Sequence, residues 1–217
     1  MIKFLIFDFD GTIAKSKSLY LNAIYYTLKK NKYNISKKAV KNLLGFRLEV
    51  LLPNLGVGNS KKINVLKKDI NKHVLKRSGK LIACPSIEKI REILQKKRCV
   101  LVTNSISAYT LPFLKKHNLK FSVVMGSEQF SSKQDAFKKL FKRFKVKPKE
   151  AVYIADRSQD VDISRDVGCI SAIISNILSC QRSIQRSTSL EILRTIANTF
   201  KRSSDFQRSS TGMIRVS

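Results

Sequence analysis

The stretch Ile2-Lys3-Phe4-Leu5-Ile6-Phe7-Asp8-Phe9-Asp10-Gly11-Thr12 decides the fold. From Ile2 to Phe9 it is rich in apolar and aromatic side chains, and it ends in Asp-Gly. A short run of that kind reads as a buried strand leading into a turn, central in a parallel sheet. Asp8 and Asp10, one residue apart, then stand at the carboxyl end of that strand, where open α/β folds place their ligands, and Gly11 lets the chain turn sharply.

Working outward, three later runs share this character: Cys99 to Thr103, Phe121 to Met125 and Ala151 to Ala155. A fourth, Cys169 to Ile174, follows Gly168. Helical spacing fills the intervals. Ile87, Ile90, Ile93 and Leu94 share one face after Pro85 and Ser86, a cap and first turn, and Phe137, Leu140, Phe141 and Phe144 share another. Ser105 to His117 and Gln159 to Val167 are shorter helix candidates. Strand and helix alternate from Ala83 to Ile174, which is the pattern of a parallel sheet covered by helices.

The interval from Lys15 to Lys80 breaks that rhythm, with helical patterns but no strand. Tyr20, Ile24 and Leu28 fall on one face, as do Ile63, Leu66, Ile70 and Val74. It reads as a helical insertion after the first strand. Beyond about Ile177 the composition shifts to arginine and serine. Leu190 to Phe200 is expected to form an amphipathic helix, and Lys201 to Ser217 a mobile tail.

The 217 residues include 43 Lys+Arg against 15 Asp+Glu, for a formal net charge of +28. Such a surface attracts phosphorylated metabolites, nucleic acid or anionic membranes. The lysines are dispersed in pairs along helical stretches, as on solvated faces, and no aromatic-interleaved recognition motif accompanies them. No apolar run approaches the roughly 20 residues of a membrane helix. The apolar start is cut by Asp8 and Asp10 before it reaches the length of a signal-peptide core. Cys84, Cys99, Cys169 and Cys180 contain no Cys-x-x-Cys pair, which fits reduced thiols in a cytoplasmic protein and speaks against zinc.

Further groups fall at the ends of the other strands: Thr103-Asn104-Ser105 after the second, Lys133 ahead of the helix after the third, Asp156 and Asp160 after the fourth. A hydroxyl, a lysine and four carboxylates would converge on one crevice. Carboxylates packed together need a countercharge, and a hard divalent cation such as Mg²⁺ is the natural one.

In order and spacing, these groups resemble the four motifs of the haloacid dehalogenase superfamily over residues 1 to about 174, with Asp8 to Thr12, Thr103, Lys133, and Asp156 with Asp160 in the four places. The helical insertion looks like the small C1-type cap of the phosphoglycolate phosphatase and β-phosphoglucomutase branch. The resemblance implies an α/β, Rossmann-like parallel-sheet core (residues 1–14 and 81–180), a helical cap (15–80) and a C-terminal stretch (181–217). It implies that Asp8 is the nucleophile and Asp10 the acid and base. Asp8, the Asp10 backbone carbonyl and Asp156 would hold Mg²⁺, with Asp160 acting through water or orienting the shell. Thr103, the backbone after it at Asn104, and Lys133 would bind the phosphoryl group. Phosphatases and phosphomutases keep an acid two residues after the nucleophile, whereas dehalogenases do not, so Asp10 argues for phosphate-ester chemistry.

The expected reaction is hydrolysis of a small phosphomonoester such as phosphoglycolate, a sugar phosphate or a nucleotide. A phosphomutase, and a basic nucleic-acid-associated protein or polynucleotide end-phosphatase, stand as alternatives. Four positions depart from the family pattern. Ala155 replaces a glycine, Gln134 a proline, Arg157 a small hydroxyl residue and Lys15 an acid. Arg47 lies where related caps lower a specificity loop, and a guanidinium there would suit a second anionic group of the substrate. An exposed helix arginine reads equally well. Ser105 serves either a phosphate or a helix cap.

Overall fold

The computed structural model describes residues 2–174 and the pair 213–214. Phe4–Phe7 (β1), Cys99–Val102 (β2), Val123–Met125 (β3), Ala151–Ala155 (β4), Ile170–Ile173 (β5) and Met213–Ile214 (β6) form one sheet in the order β3-β2-β1-β4-β5-β6, every adjacent pair parallel. β1 is central, as its apolar composition requires: both faces are covered, so its residues alternate between two cores instead of between core and water. Leu5 and Phe7 enter a cluster that continues into the helical insertion. Phe4 and Ile6 enter a second cluster with Val100, Phe137, Leu140 and Tyr153.

The insertion is helical throughout, with Lys17–Lys30 (α1), Lys37–Asn42 (α2), Leu48–Asn54 (α3) and Ser60–Arg77 (α4), closed by a short turn at Ser78–Lys80. The apolar stripes read from the sequence meet here. Ile24 and Leu28 of α1 are buried in the same core as Leu66, Ile70 and Val74 of α4. Two connectors tie insertion to sheet side by side: Lys15 N–H donates to Ile82 O at 2.9 Å and Cys84 N–H to Ile13 O at 2.8 Å.

The remaining helices are Ile87–Lys96 (α5), Ser107–Lys116 (α6), Lys133–Phe144 (α7) and Gln159–Val167 (α8). Ser86 stands at the N-cap of α5, its carbonyl accepting from Ile90 N–H at 3.0 Å, while its hydroxyl donates to Thr12 O at 3.4 Å. Ser105 lies outside α6, which starts at Ser107. The helix expected at Leu190 to Phe200 lies outside the described residues. Within the stretch expected to be a tail, the described pair Met213–Ile214 is a strand pairing in parallel with β5, which no apolar periodicity announces. Among the described residues no helix is long and apolar enough to cross a membrane, and the side chains of Cys84, Cys99 and Cys169 are buried.

Candidate active site

The strand order gathers the polar groups. Asp8 continues β1, its N–H donating to Ile154 O at 2.9 Å, and the register Phe7↔Ile154 brings the residue after β4, Asp156, to its side. Gly11, at φ +83°, makes this approach possible. A Cβ there would lie 2.2 Å from Asp156 Oδ2, so any side chain would push the two loops apart. Asp160 projects from the first turn of α8 and Lys133 is the first residue of α7, whose start Ser132 caps by accepting from Asp135 N–H at 3.1 Å.

Lys133 Nζ lies 3.1 Å from Asp8 Oδ1 and 3.3 Å from Asp160 Oδ1, all three side chains being buried. Tyr153 OH donates to the same Asp160 oxygen at 2.9 Å. Burial alone would pull the Lys133 ammonium down, but Asp8 and Asp160 overcome it and hold it above the ordinary lysine range. Burial pushes Asp8 up to about 7 against the pull of Lys133, with Asp160, Asp10 and Asp156 adding to the rise.

Asp10 faces the other way, toward hydroxyls. Its Oδ1 accepts from Ser16 Oγ at 2.6 Å; its Oδ2 accepts from Ser105 Oγ at 2.6 Å and Thr103 Oγ1 at 3.2 Å. Ser105 Oγ in turn meets Tyr20 OH of α1 at 2.8 Å. Burial raises the Asp10 carboxyl above the usual aspartate range, while the Ser105 and Ser16 bonds and Lys133 oppose it.

Asp8, Asp156 and Asp160 can each offer an oxygen within 4.8 Å of the others. Asp156 has a side chain only 1% exposed, and its Oδ1 is buried without a hydrogen-bond partner. An all-oxygen donor set with an orphaned buried carboxylate oxygen fits a hard divalent cation. The Asp10 carboxylate is not part of this set, being occupied by its three hydroxyl donors.

Other expected residues take different places. Asn104 lines the cavity over Asp8, but its amide donates to Gly45 O at 2.9 Å. The Arg47 guanidinium donates to Ser127 O at 2.8 Å, lies over the Phe130 ring and does not line that cavity. Arg157, the departure after Asp156, spreads over Phe46 with its guanidinium 5.3 Å from the ring centre. The cavity, about 280 Å³, lies between the sheet ends and the helical insertion and is lined by Asp8, Asp10, Tyr20, Phe46, Asn104 and Lys133 among others. The sequence reading missed Ser16, Lys17 and Tyr153 as site residues, and placed Tyr20 only on a core face. Of these, Tyr153 alone left a signal, as the one polar-tipped side chain within the run Ala151 to Ala155.

Fold and site together define an α/β hydrolase with carboxylates and a lysine gathered at the ends of parallel strands. The sequence matches the family model of the haloacid dehalogenase-like hydrolases over residues 5–174, and the chain belongs to that family. No curated protein matches it at the sequence level.

Solved structures share its fold at low identity. A haloacid dehalogenase-like family hydrolase from Streptococcus pneumoniae is 19% identical, with TM-score 0.72 over 90% of this chain and 98% of that one. A predicted phosphoglycolate phosphatase from Haemophilus somnus is 20% identical, with TM-score 0.66 over 78% and 84%. CbbY from Rhodobacter sphaeroides, solved in complex with phosphate, is 14% identical, with TM-score 0.68 over 84% and 90%.

Proposed function

We propose that this protein is a cation-dependent phosphatase acting on a small phosphomonoester through a covalent phosphoryl-Asp8 intermediate. The observation that carries the reading is the division of labour between two carboxylates two residues apart: Asp8 lies against Lys133 and the acidic cluster, Asp10 against three hydroxyls. An ionised Asp8 oriented by an ammonium suits attack on phosphorus. A carboxyl held on hydroxyls, with its proton affinity raised by burial, suits proton transfer.

In the first step an Asp8 oxygen bonds to phosphorus as the bond to the leaving oxygen breaks, and Asp10 gives that oxygen its proton. In the second, Asp10 takes a proton from a water that attacks the phosphoryl group, releasing phosphate and restoring Asp8. Lys133 keeps Asp8 aligned and offers positive charge where the phosphoryl oxygens gain negative charge. Thr103, which now donates to Asp10, and the backbone at Asn104 are proposed to receive the same oxygens. Asp8, Asp156, Asp160 and the Asp10 carbonyl would hold Mg²⁺, which when bound supplies charge to offset the clustered carboxylates and the phosphate.

The helical insertion forms the leaving-group side of the cavity, with the division of the chain into core 1–14 and 81–180 and cap 15–80. Arg47 sits on the core loop at Ser127, and its proposed part in specificity is to fix that loop. The buried thiols of Cys99 and Cys169 suit the cytoplasm.

Phosphate release from a panel of phosphomonoesters, with Mg²⁺ and with chelator, tests the reading. Turnover that needs the cation supports it; a folded, cation-binding protein inactive on the whole panel overturns it.

A further inference from the structure

Three carboxylates of the cluster are matched by two ammonium groups of very different standing. Lys133, 5% exposed, serves Asp8 and Asp160 and also meets Tyr153 OH, so it cannot leave without stranding buried charge. Asp156, the remaining carboxylate, is ion-paired with Lys17, the first residue of α1. The Lys17 side chain is 54% exposed while that of Asp156 is 1% exposed. The pair packs against the turn at Gly11, where a Cβ would lie 2.9 Å from Lys17 Cε. One end of this ion pair is therefore fixed and dry, the other free to move into solvent.

We propose that Lys17 competes with a divalent cation for Asp156, as an internal counter-ion that the cation displaces. This rests on the cation reading above. An ammonium offers hydrogen-bond donors and one charge, whereas a hard cation needs the carboxylate oxygen itself as ligand. A cation on either Asp156 oxygen would stand only a carboxylate's width from the ammonium on Oδ2, and two positive charges that close repel strongly in this buried site. Displacement is cheap because Lys17 starts its helix, its side chain is already 54% exposed, and among the described residues no other ion pair holds its ammonium. Since Lys17 belongs to α1, cation binding also removes one tie between the helical insertion and the β4 loop.

Mg²⁺ titrated calorimetrically into the full chain tests this without turnover. Lys17→Gln is expected to bind Mg²⁺ about fivefold more tightly than wild type, the scale of a partly exposed ion pair. Lys17→Arg, which keeps the charge, is expected to bind with wild-type affinity. Lys41→Gln controls for the general field, because Lys41 lines the same surface pocket as Lys17 without touching Asp156; it should change affinity far less.

In wild type, acylation of the Lys17 amine, followed by peptide mass, should accelerate when Mg²⁺ saturates the protein. That arm needs no variant. Equal affinity of wild type and Lys17→Gln, equal tightening by Lys41→Gln, or an unchanged acylation rate would overturn the competition while leaving the cation site intact. Absence of Mg²⁺ binding in every protein would overturn the cation reading and the competition with it.

Discussion

Asp10 is the residue whose chemistry follows most directly from its neighbours. Three hydroxyls fix both of its oxygens and hold the carboxyl in one orientation beside the cavity that it lines. Asp10→Asn should lower kcat on an alkyl phosphate by about 10²- to 10⁴-fold, the usual worth of a positioned acid. The first step on p-nitrophenyl phosphate, whose phenolate leaves without a proton, should suffer far less. Burst kinetics on the two substrates checks this, and equal losses would remove Asp10 from the acid role. Lys133→Met would strand Asp8 and Asp160 as buried, unpaired charges, a loss of about 3–5 kcal/mol in chelator by denaturant unfolding, partly recovered with Mg²⁺. Asp8, Asp10, Lys133, Asp156 and Asp160 were legible in sequence because each falls at a strand end or helix start. Ser16 and the hydroxyl role of Ser105 were not. Ser105 reaches Asp10 across 95 residues of chain and Tyr20 across 85, and no local pattern encodes such a meeting.

Among the elements, the segment joining α2 to α3 bears most on how the helical insertion meets the core. Gly45 accepts from Asn104, Phe46 lies under Arg157 and Arg47 reaches Ser127, so three successive residues dock the helical insertion onto the loops of the core. Gly45 has φ +93°, and a Cβ would lie 1.6 Å from Arg157 Nη1. Gly45→Ala should therefore cost about 1–3 kcal/mol of backbone strain and displace Arg157. Urea unfolding measures the first. A KM that rises more than kcat falls reports the second. Apolar runs located the strands well but overran β3: Phe121 turns its ring against Phe7, at 5.8 Å between centroids, and the paired strand begins at Val123. α3 left little trace, being seven residues long with Pro53 inside it.

At the scale of the whole molecule, the carboxylate cluster couples stability to pH. Burial raises Asp8 from 3.8 to about 7, and Asp10 and Asp156 move in the same direction. Between these values the folded chain binds a proton on Asp8 that the unfolded chain has lost, so the contribution of Asp8 to stability is full below 3.8 and is lost as pH rises through about 7. In chelator the melting temperature should carry this loss. Stabilisation by Mg²⁺, which favours ionised carboxylates, should grow across the same window. The net charge of +28 adds a long-range attraction for phosphate esters, so kcat/KM should fall as salt is raised. The parallel fold was legible because both-face burial leaves long apolar runs. The parallel sixth strand at Met213–Ile214 was not, since two residues carry no periodicity. All of this turns on Asp8 as the nucleophile, and acid-quenched peptide mass mapping after exposure to Mg²⁺ and p-nitrophenyl phosphate tests it most directly. A hydroxylamine-labile phosphoryl group on the peptide containing Asp8, absent in Asp8→Asn along with turnover, is expected. Steady phosphate release with no phosphorylated peptide, and undiminished in Asp8→Asn, would contradict it.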